Sequence, residues 1–176
     1  MPGNSAHDRR KARFEQDVTS GFLMPYNHAK GTVFSIIRGG IPPEPDLICK
    51  DCRTCLQIGI EVVTAYYDKN HAKSVWEQAR SKAAAPYFLT GPDHIINKRA
   101  LAHALRNIKN KSTKTYKTPG RLFLLVQIYP WRLYLSDVTD SLETLHLPKF
   151  HPFDEIHLAS QNEVYQLFPN REWIFP

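Results

Sequence analysis

The chain has 176 residues, 42% hydrophobic and 23% charged, a profile that suits one ordinary globular core and leaves little room for a second. No apolar run approaches the ~20 residues of a membrane helix, and the start, MPGNSAHDRRKARFEQDV, lacks the apolar centre of a secretion signal, so a cytoplasmic setting with reduced cysteines is expected. A formal net charge of +6 and a pI near 9.3 admit a polyanionic partner without requiring one.

Residues 6–19 are predicted to be helical, capped by Asn4 or Ser5, with Phe14, Val18 and Phe22 as a partial apolar stripe. MPYNHAKG breaks that pattern. TVFSII is a short strand, and the Gly and Pro residues of RGGIPPEP interrupt the chain after it. DLICK and LQIGIEVVTAYY are the next strands, joined at DCRTC by a hairpin turn or a bulged loop. Residues 70–84 are predicted as a helix that Pro86 stops. Asn97 opens another helix, running to about Lys114, with Leu101, Ala104, Leu105 and Ile108 at helical spacing. RLFLLVQIY shows no alternation, which marks a strand buried on both faces. WRLYLSDV is a strand or short helix. DEIHLAS and EVYQLFP, divided by Gln161 and Asn162, form a terminal β-hairpin. The order predicts an α/β fold of α+β type, a mixed sheet with helices on its faces, in a single domain over residues 1–176.

The acidic residues within these strands need an explanation, because a carboxylate in a strand core is costly unless something pairs with it. In IGIEVVTAY, Ile58, Ile60, Val62 and Thr64 share one face, and Gly59, Glu61, Val63 and Ala65 the other. Pro45 places Asp46 at the bend where the preceding strand begins. If the two strands are neighbours, Asp46 and Glu61 converge. Two converging carboxylates suit a hard divalent cation such as Mg²⁺ or Mn²⁺, which can lower the pKa of a bound water. The competing reading is that Asp46 only bonds the local turn and Glu61 lies on a solvated face.

PEPDLIC followed by IGIEVV resembles the PD-(D/E)xK nuclease superfamily, over roughly residues 9–128. The resemblance implies a restriction-endonuclease-like αβββαβ core and metal-dependent hydrolysis of nucleic-acid phosphodiesters. Pro45 and Asp46 match the PD, Glu61 matches the D/E, and Glu15 matches an acid often carried on the first helix. The family's lysine falls at position 63, where this chain has Val63. Some members draw that lysine from a later helix. Lys111 and Lys109 are the candidates here, Lys111 preferred because Leu105, Ile108 and Lys111 continue one row; Lys73 is a third option. The implied partner is nucleic acid, DNA ahead of RNA, with a homodimer or another protein supplying targeting. Arg9, Arg10, Lys11 and Arg13, and the midsection Lys98, Arg99, Arg106, Lys109, Lys111, Lys114, Lys117 and Arg121, would contact its backbone. The alternative is a catalytically inactive module of the same fold that binds nucleic acid or protein.

Cys49, Cys52 and Cys55 have a spacing that suits Zn²⁺, but a closed site needs a fourth ligand. His28, His71 and His94 are candidates, and the spacing selects none. A zinc-stabilised interaction domain is therefore a third reading, beside three free thiols. His103 is expected to be a partly exposed helix residue. Tyr66, Tyr67, Trp76, Tyr116, Trp131 and Tyr134 are aromatic candidates for base stacking or for the core.

Overall fold

The computed structural model describes residues 6–66, 72–73, 93–128, 135–160 and 163–175. Within them the chain runs α1 (Ala6–Lys30), β1 (Phe34–Gly39), β2 (Leu47–Asp51), β3 (Gln57–Ala65), α2 (Asp93–Ser112), β4 (Arg121–Ile128), a 3-10 turn (Leu135–Val138), α3 (Thr139–Glu143), β5 (Glu155–Ser160), β6 (Glu163–Phe168) and β7 (Glu172–Phe175). The strands form one seven-stranded sheet in sequence order. β3, β4 and β5 are mutually parallel, and the other neighbours are antiparallel. The fold is thus a mixed α+β sheet.

Alternation along β4 explains why its sequence is continuously apolar. Leu122, Leu124, Val126 and Ile128 enter a core with Ala100, Leu101, Ala104 and Ile108 of α2 and Leu142 of α3. Phe123 and Leu125 enter the opposite core, with Ile58, Ile60 and Val62 of β3 and Phe22, Leu23 and Tyr26 of α1. Helices therefore cover both faces, and the central parallel strands are dry on each.

α1 continues past the expected break and carries Pro25 inside it. Proline costs a helix about 3 kcal/mol. Burying Phe22, Leu23 and Tyr26, each at most 5% exposed, returns about 1.5–3 kcal/mol per side chain, so packing outweighs the local penalty. α2 starts at Asp93 rather than Asn97. Of the helix expected at 70–84, only residues 72–73 are described, and they are helical. In WRLYLSDV, the described part is the 3-10 turn, not a strand. The C-terminal hairpin is extended by β7, which pairs antiparallel with β6 and was not expected.

The loop between β1 and β2 is tightly built. Arg38 forms a two-pronged ion pair with Glu44 at 2.6 and 2.8 Å. Gly40 N–H donates to Asp46 O at 2.8 Å, and Lys117 N–H donates to Pro43 O at 3.0 Å. A Cβ on Gly40 would lie 1.7 Å from the Pro45 carbonyl oxygen, so this close approach needs glycine. Gly59 likewise makes room: a Cβ there would lie 2.5 Å from Pro45 Cγ. The missing side chain of Gly59 lets Pro45 seat on β3 and holds Asp46 beside Glu61.

Candidate active site

β2 and β3 pair with Leu47 opposite Ile60, which brings Asp46 level with Glu61. Each acid reaches across to the backbone of the other's strand segment. Asp46 N–H donates to Glu61 Oε2 at 3.3 Å, and Val62 N–H donates to Asp46 Oδ2 at 2.9 Å. The two carboxylates are thus locked at the mouth of the β2–β3 pair.

Lys111 of α2 donates its ammonium to Glu61 Oε1. Its position follows from helical phase. Ala104 and Ile108 are fully buried against the sheet, and Lys111 continues their row. Two polar residues that precede Lys111 at spacings of four fasten α2 to the end of β3. His103 Nδ1 accepts from Tyr66 N–H at 3.2 Å, and Asn107 Nδ2 donates to Thr64 O at 2.9 Å. His103, Asn107 and Lys111 recur every fourth residue, a polar row that sequence reading did not identify.

On the other side of the sheet, Lys11 of α1 bridges two acids. Its Nζ lies 2.7 Å from Glu15 Oε1 and 3.5 Å from Asp46 Oδ1. Glu15 is buried on the same α1 stripe as Thr19, Phe22 and Tyr26. Lys11 was expected only as one of a basic run; its spacing of four from Glu15 was the available signal.

The electrostatics fit this arrangement. Burial pushes the Glu61 carboxyl up, the nearby Asp46 charge adds to the shift, and Lys111 opposes it. Burial also pushes Glu15 up, against the pull of Lys11. Burial lowers the Lys11 ammonium, but its bonds and attractions to Glu15 and Asp46 outweigh that and raise it. The Tyr116 hydroxyl is pushed up by burial and by the Glu61 and Asp46 charges. That hydroxyl closes no hydrogen bond of ordinary geometry among the described residues. Three carboxylates are thus faced by two ammonium groups and one phenol.

Other expected residues lie elsewhere. Lys109 is exposed, one step round α2 from the buried face, and makes no ion pair among the described residues. Lys73 is exposed, in the two-residue helical fragment. Val63, where the resemblance would place a lysine, packs toward the α2 core. Among the described residues, no three His, Cys, Asp or Glu side chains gather as one metal-holding group. The donor set at Asp46 and Glu61 is nevertheless all oxygen, which suits a hard cation that keeps several waters.

The cysteines do not converge. Cys49 is buried in the α1-side core, where desolvation pushes its thiol up to about 12, while Cys52 and Cys55 are exposed in the β2–β3 turn. His28 is exposed on α1; His71 and the His94 side chain lie outside the described residues. Tyr67, Trp76, Trp131 and Tyr134 also lie outside them.

A second polar cluster was not anticipated. Glu155 accepts from Tyr26 Oη at 3.2 Å and from Arg121 Nη2 at 2.6 Å, and its Oε2 lies 2.8 Å from His157 Nε2. His157 is fully buried among the rings of Phe22, Tyr26 and Phe123. Residues 155 and 157 share a strand face by alternation.

Compared with known proteins, the chain matches no family model, no curated protein and no solved structure.

Proposed function

We propose that the chain is a metal-dependent nuclease with a restriction-endonuclease-like core, hydrolysing nucleic-acid phosphodiester bonds. The observation that carries this reading is the reciprocal closure of Asp46 and Glu61 across the β2–β3 pair. The element order from α1 to β4, with β4 parallel to β3, supports it.

Asp46 and Glu61 would hold Mg²⁺ or Mn²⁺, with waters completing the shell. When bound, the ion supplies an acidified water and offsets charge on the phosphoryl oxygens. The remaining work falls to this chain's side chains. Lys111 Nζ orients the attacking water and balances the buried charge of Glu61, a role for which position 63 has no amine. Lys11 Nζ, partly exposed beside Asp46, contacts a backbone phosphate. Glu15 keeps that ammonium in place. Lys114 and Lys117, both exposed beyond the end of α2, extend the cationic border along which a strand can lie.

Val63 favours a second reading, a nuclease-fold module that binds nucleic acid without cutting it. Incubating the purified protein with plasmid, in Mn²⁺ and in chelator, separates the two. The nuclease reading expects cutting only with the metal, reduced roughly a hundredfold or more in Asp46→Ala and in Glu61→Ala. Cutting that neither variant changes overturns it. Binding with no cutting selects the silent module.

A further inference from the structure

Beside the acidic pair, on the α1 side of β3, lies a cleft of about 210 Å³ lined by Lys11, Phe14, Glu15, Val62, Thr64 and Tyr66. Three of these residues tie it to the acidic pair. Lys11 and Glu15 form the ion pair that reaches Asp46, and Val62 N–H holds the Asp46 carboxylate. Anything seated in the cleft is therefore next to whatever lies on Asp46 and Glu61.

The lining is unlike that of a simple anion site. Phe14 and Tyr66 contribute two aromatic rings, and Val62 adds an apolar wall. Thr64 contributes a hydroxyl, and Glu15 a carboxylate that can accept from ring N–H and amino groups. Lys11, at the rim, suits the attached phosphate. This chemistry matches a planar heterocycle carrying hydrogen-bond donors on its edge and a negative charge at one end. A cleft of about 210 Å³ suits one such ring system.

We propose that this cleft receives a single unpaired nucleobase adjoining the phosphodiester held at Asp46 and Glu61, so that the substrate is single-stranded, or locally unpaired, nucleic acid. The inference rests on the nuclease reading for the neighbouring phosphate, but base binding itself is measurable without any cutting. Stacking a base on an aromatic side chain costs unpairing energy in a duplex and none in a single strand. Single strands are thus preferred over blunt duplexes of the same sequence.

The test is binding in chelator, where no hydrolysis occurs, read by fluorescence anisotropy. Three labelled probes are compared: a single-stranded DNA 20-mer, its blunt duplex, and a strand of equal length carrying abasic units throughout. The wild type binds the single strand best. Phe14→Ala lowers that affinity about five- to hundredfold, the range expected for a lost stacking partner, and leaves the abasic strand unchanged. Equal affinity for all three probes overturns the proposal, as does a Phe14→Ala variant that weakens the abasic strand equally. A second readout needs no variant: a strand carrying 2-aminopurine is quenched when its base stacks on bound wild-type protein. Binding without quenching contradicts the cleft assignment. If base-dependent binding holds while Mn²⁺ produces no cutting, the nuclease reading fails and the base site stands. If cutting occurs equally on duplex and single strand, and Phe14→Ala does not alter it, the base site fails and the nuclease reading stands.

Discussion

Asp46 and Glu61 close the β2–β3 pair from both sides: Glu61 Oε2 accepts from Asp46 N–H, and Asp46 Oδ2 accepts from the N–H of Val62, the residue after Glu61. The reciprocity fixes both carboxylates relative to the strand pair and not merely to each other. A carboxylate pinned by main-chain donors keeps its position when its charge partners change. Lys11 and Lys111 approach from opposite faces of the sheet and supply the charge balance.

Lys111 balances a carboxylate that is 5% exposed. Lys111→Met leaves the Glu61 charge buried without its ammonium. We expect a loss of about 1–3 kcal/mol in urea unfolding at pH 7, less than for a fully buried pair because Lys111 retains some contact with solvent. Adding Glu61→Gln removes the orphaned charge, and the double variant recovers most of that loss. A double variant as unstable as Lys111→Met contradicts the pairing.

Gly59 and Gly21 carry predictions of opposite sign. A Cβ at Gly59 meets Pro45 Cγ at 2.5 Å and Thr118 Oγ1 at 2.9 Å. Gly59→Ala therefore displaces Pro45, destabilises the fold by about 1–3 kcal/mol and weakens Mn²⁺ binding by moving Asp46. A Cβ at Gly21, inside α1, meets nothing within 4 Å. Gly21→Ala stabilises by about 0.4–1 kcal/mol. Thermal unfolding of the two variants, with Mn²⁺ titration of the first, checks both.

His157 predicts acid sensitivity. Burial holds its imidazole below the ordinary range, and Glu155 is held below the usual carboxylate range despite burial, by its bond to and attraction from His157, with Arg121 assisting. Both groups have folded pKa values below their unfolded ones. Their stabilisation is therefore complete above about pH 6.5 and is lost as pH falls, through His157 first and then Glu155. Lys30 disfavours and Glu172 favours the charged imidazole from further away. His157→Gln removes one titrating group, so the slope of unfolding free energy against pH just below 6.5 flattens by up to about 1.4 kcal/mol per pH unit. An unchanged slope contradicts this assignment.

Metal affinity at the acidic pair has the opposite chemical origin but the same direction. Glu61 holds its proton above the ordinary carboxylate range, and a cation competes with that proton. Mn²⁺ affinity is expected to rise with pH through the region above about 4.5 and then level off. Isothermal titration across that range checks it; affinity flat from acid to neutral pH contradicts the raised Glu61.

Much of the sheet was legible because its central strands are buried on both faces, which leaves RLFLLVQI apolar without alternation. The Asp46–Glu61 pairing was legible from Pro45 and from strand alternation, and Lys111 from the helical row through Ile108. What escaped sequence reading depends on tertiary packing. α1 runs through Pro25 because Phe22, Leu23 and Tyr26 face the sheet, which a local rule cannot know. β7 is four residues long and gains its identity only from β6. Lys11 looked like one more surface cation, and its role emerges only where α1 lies across β3. The Glu155–His157 pair was visible by alternation, yet its partners Tyr26 and Arg121 are far away in sequence.

We propose that Asp46 and Glu61 together clasp a divalent cation. Electron paramagnetic resonance of Mn²⁺ titrated into the protein at neutral pH tests it most directly. The account predicts saturable binding by the wild type, weakened at least about tenfold in Asp46→Asn and in Glu61→Gln while both variants remain folded. Wild-type protein that leaves all Mn²⁺ free, or folded variants that bind it as tightly as wild type, would contradict it.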